Sequence, residues 1–84
     1  MSDDKPTVEL FHATTDADSA AARKHVVTLG LEAKIRFRNV FYAEVQADLS
    51  ARGGAHTPAI WDGAQLLEGR EKVLAFLDGM AAPK

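Results

Sequence analysis

Eighty-four residues, 46% hydrophobic and 26% charged, are enough for one small globular domain and too few for two cores. A net charge of −2 gives no electrostatic basis for a nucleic-acid partner, and the apolar runs fall far short of the ~20 residues that cross a bilayer, so no membrane partner is expected. The complete lack of cysteine excludes disulfides, thiolate chemistry and cysteine-held zinc or iron–sulfur centres.

Residues 1–6 read as a flexible tail. They are acidic and polar, without the basic and apolar regions of a signal peptide, which predicts a cytoplasmic protein. Thr7 to His12 mixes β-branched and aromatic residues in partial alternation, predicting a strand. Ala13 to Asp18 is turn-forming. Asp18 or Ser19 can cap the helix that follows by accepting from an orphan amide, and Asp16 and Asp18 suit the positive end of its dipole. Ala22, Val26 and Leu29 recur at helical spacing until Gly30 offers a left-handed stop. Ala33 to Arg38 alternates apolar and basic residues, predicting a strand with one wet face whose Arg36 and Arg38 suit a sheet edge. Tyr42 to Arg52, with Val45 and Leu49 on one side and Gly53-Gly54 behind, predicts a second helix. Pro58 to Trp61 predicts a third strand, Asp62-Gly63 a type I′ turn, and Gln65 to Leu67 a fourth strand. Gly69 opens a last helix with Val73, Phe76, Leu77 and Met80 on one stripe, and Gly79 ends it. Residues 81–84 form a second tail, leaving one domain over 7–80.

This order, β-α-β-α-β-β-α, predicts an α/β fold in which a parallel crossover and a hairpin build a mixed four-stranded sheet flanked by helices. With its Gly53-Gly54 linker, its Thr57-Pro58 step and Asp62-Gly63 ahead of the last helix, the chain resembles the glutaredoxin-type branch of the thioredoxin fold and the N-terminal domain of glutathione transferases. The resemblance implies a cis Thr57–Pro58 bond. It also sets Asp16-Ala17-Asp18-Ser19 where the family carries Cys-x-x-Cys. Asp and Ser cannot perform thiol–disulfide exchange, which needs a thiolate attacking sulfur. A redox-inactive binding module is therefore implied rather than an enzyme, with no catalytic residue and no metal.

Carried over by position, the family's ligand contacts fall on Thr57 and Pro58, on Glu68, Gly69, Arg70 and Glu71, and on Asp16 and Ser19 across the groove. Gly69 stands where the transferases have a serine, so half of that γ-glutamyl site remains. No cofactor is required. The ligands implied are glutathione, an extended peptide or a protein partner. The alternative is a glutathione-dependent, transferase-like enzyme in which the hydroxyl of Ser19 or Thr15 assists a substrate thiol. Ordinary roles compete at each position: Ser19 as a helix cap, Asp16 as a solvated turn residue, Pro58 as a loop former, Trp61 as packing. His12 and His56 read as surface histidines, although with Asp16 they have the chemistry of a weak divalent site. His25 reads as an unremarkable residue on the exposed side of a helix. Phe41-Tyr42 either staples the second helix or stands exposed.

Overall fold

The computed structural model describes residues 8–81. Thr7, the tail expected at 1–6 and residues 82–84 of the tail expected at 81–84 lie outside the described residues, whereas Ala81 belongs to the last helix. Strand β1 (Val8–His12) pairs in parallel with β2 (Ile35–Asn39) and antiparallel with β3 (Ala59–Trp61), and β3 pairs antiparallel with β4 (Leu66–Glu68). The sheet order is β2-β1-β3-β4. Helices α1 (Ala17–Thr28) and α3 (Arg70–Ala81) cover one face and α2 (Ala43–Ala51) the other. This is a small α/β fold with a mixed four-stranded sheet and three α-helices, as the element order predicts.

The two-sided core follows from the alternation of β1, since successive side chains in a strand leave opposite faces. Leu10 joins Ile35, Ile60, Ala22, Val26, Val73 and Leu77 beneath α1 and α3. Phe11 joins Ala59, Val45 and Leu49 beneath α2. Gly30, at φ 70°, closes α1 as anticipated. Its N–H reaches the Val27 carbonyl and that of Leu31 reaches Val26, both at 3.0 Å, and Leu31 then packs in the same cluster as Val26.

Several local expectations are corrected. Asp16, rather than Asp18 or Ser19, caps α1, because its carboxylate accepts from the Asp18 amide. Residues 32–34 form a short 3-10 turn, so β2 begins at Ile35 and not at Ala33. Helix α2 is one residue shorter at each end than Tyr42 to Arg52. The hairpin is no two-residue type I′ turn: Trp61 pairs with Leu66, and only Gly63 has positive φ. The Asp62 carboxylate instead accepts from the Ala64 and Gln65 amides at 2.8 and 2.7 Å, which shapes a four-residue loop. Gly79 does not end α3, which runs to Ala81. Arg38 does not lie on a wet face; it is 9% exposed.

Candidate functional site

The loop from β1 into α1 is organised by one carboxylate. Asp16 Oδ1 accepts the Asp18 N–H at 3.1 Å, and Oδ2 accepts the hydroxyls of Ser19 at 3.0 Å and Thr57 at 3.1 Å. Ser19 is fully buried, and its oxygen accepts the Ala13 N–H at 3.0 Å. Its proton is therefore committed to Asp16 and a lone pair to the backbone. Partial burial pushes the Asp16 carboxyl up, but the hydrogen bonds it accepts outweigh this and hold it below the usual carboxylate range.

Thr57 thus ties the α1 cap to the chain entering β3. The Thr57–Pro58 bond is cis, Pro58 is fully buried, and its carbonyl accepts the Gly69 N–H at 3.0 Å. Gly69, at φ 102°, directs the chain from β4 into α3, and its carbonyl takes the Val73 N–H at 3.0 Å. Glu68 turns back toward the loop before β3, where Oε2 accepts the Ala55 and His56 amides at 2.8 and 2.9 Å. Those two amides hold its carboxyl below the ordinary value.

An open groove of about 660 Å³ runs along the start of α3, where Asp18 of α1 faces residues 68–72 and Leu74. Its walls carry both signs of charge: Asp18, Glu68 and Glu71 against Arg70 and Lys72. Arg70 Nη1 lies 3.7 Å from Asp18 Oδ1, a loose exposed pair. The eight residues singled out from sequence are therefore neighbours of two kinds. Ser19 and Thr57 are both bonded to Asp16, and the Pro58 carbonyl, next to Thr57, accepts from Gly69. Glu68, Gly69, Arg70 and Glu71 line the groove together with Asp18, which belongs to the Asp16–Ser19 segment but was not itself singled out as a ligand contact. A smaller groove, about 270 Å³, opens between α2 and the loop before β3, with Val40, Gln46 and Thr57 in its wall.

Sequence reasoning missed an ion cluster on the α2 face. Arg38 donates to Glu9 Oε1 at 2.5 Å and to Asp48 Oδ2 at 2.6 Å, while Arg52 donates to the same Glu9 oxygen at 2.9 Å. Both guanidiniums lie over the Phe11 ring, at 5.5 and 5.7 Å, and that of Arg52 also sits 4.9 Å from the Trp61 ring. Partial burial pushes Glu9 up, but the hydrogen bonds from Arg52 and Arg38 prevail and lower it. Asp48 and Arg52, four residues apart on or beside one helix, were the visible half of this cluster.

Of the two histidines expected at the surface, His56 is exposed and His12 is not. His12 is 7% exposed, not a surface residue. Arg23 Nη1 lies 3.1 Å from its Nδ1, which fixes that nitrogen as the acceptor and places the ring proton on Nε2. Burial and the Arg23 charge both lower its pKa. His25, expected on the exposed side of its helix, meets Asp78 of α3 at 2.7 Å. Among the described residues no group of three or more His, Asp or Glu side chains converges as a metal site. No helix among them is long and apolar enough to cross a membrane. No protein-family model matches this chain, and no curated protein matches it in sequence.

Proposed function

We propose that this chain is a thioredoxin-like domain of the glutaredoxin type, redox-inactive, that serves as a binding module for an extended ligand beside Thr57 and Pro58. The observation that carries the reading is the Asp16 carboxylate holding both Ser19 and Thr57, which fastens the α1 loop to the cis Thr57–Pro58 step next to an open groove. Glutathione is the first ligand to try, since its amine and two carboxylates match groove walls of mixed charge. A protein or peptide segment with a similar extended backbone is the other occupant, paired by its main chain in the manner of strand addition.

The transferase-like alternative draws no support from Ser19, whose buried hydroxyl already donates to Asp16. An Asp16 carboxylate beside it also opposes a substrate thiolate by like charge. The test is a ¹H–¹⁵N NMR titration with reduced glutathione to several millimolar. Amide shifts confined to Asp16–Ser19, Thr57 and Glu68–Glu71 are expected. An unchanged spectrum ends the glutathione reading and leaves the peptide one to be tried with extended segments.

A further inference from the structure

β2 is the outermost strand on its side of the sheet. The Val40 N–H donates to the His12 carbonyl at 2.9 Å, and the pleat turns the main-chain groups of Arg36 and Arg38 toward β1 in the same way. The N–H and C=O of Ile35 and Phe37 therefore point outward, and among the described residues no strand covers them. The side chains along this edge are of two kinds. Lys34 and Arg36 are exposed and, among the described residues, have no ion-pair partner. Phe37 is 39% exposed on the other face, and just past the strand Phe41 and Tyr42 stand 77% and 57% exposed, their rings edge to face at 5.6 Å.

Charge decides between occupants. A second copy added antiparallel about an axis through Ile35 sets Lys34 opposite Arg36 of that copy, whereas an axis through Phe37 sets Arg36 opposite Arg38, whose charge Glu9 and Asp48 already meet. An axis through Arg36 opposes the two Arg36 side chains. Like charges directly across a strand pair are destabilising. A strand that alternates acidic and apolar residues instead presents carboxylates to Arg36 on one face and apolar groups to Phe37 on the other. We infer that the outer edge of β2, with the Phe41–Tyr42 step at its end, docks an extended segment of a partner protein in which acidic and apolar residues alternate. β1 separates this edge from β3 and from the groove at Glu68, so it stands or falls independently of the glutathione reading.

A short peptide of alternating Glu and Val, titrated into the ¹⁵N-labelled full-length chain, tests it against a Lys/Val counterpart. The expected result is shifts at the amides of Ile35, Phe37, Asn39, Phe41 and Tyr42 with the Glu/Val peptide and none with the Lys/Val one. Arg36→Glu, at an exposed side chain, weakens Glu/Val binding by about tenfold as one attraction becomes a repulsion. Phe41→Ala weakens it as well without altering the melting temperature. Equal response to both peptides, shifts away from β2, no response, or an Arg36→Glu variant that binds like the parent overturns the inference. So do shifts of the same amides on concentrating the protein alone, which name a second copy as the occupant.

Discussion

Asp16 and Glu9 each gather several donors onto one carboxylate, and they do so for different ends. Asp16 joins its own turn and the first turn of α1, through Asp18 and Ser19, to Thr57, 41 positions away. Replacing it with Ala removes a helix cap and strands a buried hydroxyl, so Asp16→Ala is expected to lower unfolding stability by about 1–2 kcal/mol in urea titrations. Glu9, with its side chain 13% exposed, takes one hydrogen bond from each of two arginines. Glu9→Gln keeps the shape and loses the charge, which is expected to cost about 1–3 kcal/mol by the same measurement. Acid acts on both. A carboxyl whose folded pKa is depressed contributes stability that is complete above its ordinary value and fades as pH falls through the folded value. Glu9, from an ordinary 4.5, and Asp16, from 3.8, therefore drive a loss of stability that begins near those values and deepens below them. His12 adds an earlier loss: its folded pKa lies below 6.5, so the unfolded chain binds its proton first and stability declines as pH drops under that value. Denaturant midpoints measured from neutral pH downward are expected to fall in two stages, with the first absent in His12→Asn.

At the scale of elements, most of the pattern was legible and most errors were at boundaries. The period-two run in β1 and the Gly30 stop needed only local chemistry. The start of β2 was misplaced because Ala33 and Lys34 fit an alternating pattern as well as they fit the 3-10 turn. Alternation correctly set Arg36 and Arg38 on one side of the strand, but it carries no information on what lies over that side. Arg38 is covered because Glu9 and Asp48 reach it from β1 and α2, 29 and 10 positions away. In the candidate site, positions transferred from the resemblance landed near one another, while the tie from Thr57 to Asp16, 41 positions apart, could not be read from spacing. Gly54 is another such case. It looked like linker composition, yet a Cβ there would collide with the side chains of Leu49 and Leu66. Gly54→Ala is expected to destabilise by about 1–3 kcal/mol, as overpacking does, with the loss visible as a lower thermal midpoint.

For the whole molecule, the sheet divides two unequal halves. Beneath α1 and α3 the core is continuous, with Leu10, Ala22, Val26, Ile60, Val73 and Leu77 all at 0% exposure. Beneath α2 it is smaller: Val45 and Leu49 supply the buried contacts, and Asp48 and Arg52 grip Arg38 and Glu9 at the rim. Ionic grips at a partly exposed rim are screened by salt, whereas apolar burial is not. The lowest-energy opening of the native state is thus expected to be the lifting of α2 alone. Deuterium is expected to replace the amide hydrogens of residues 43–51 well before those of α1 and α3, with added salt widening that gap. Equal protection of the three helices at low and high ionic strength would show instead that the molecule opens only as one piece.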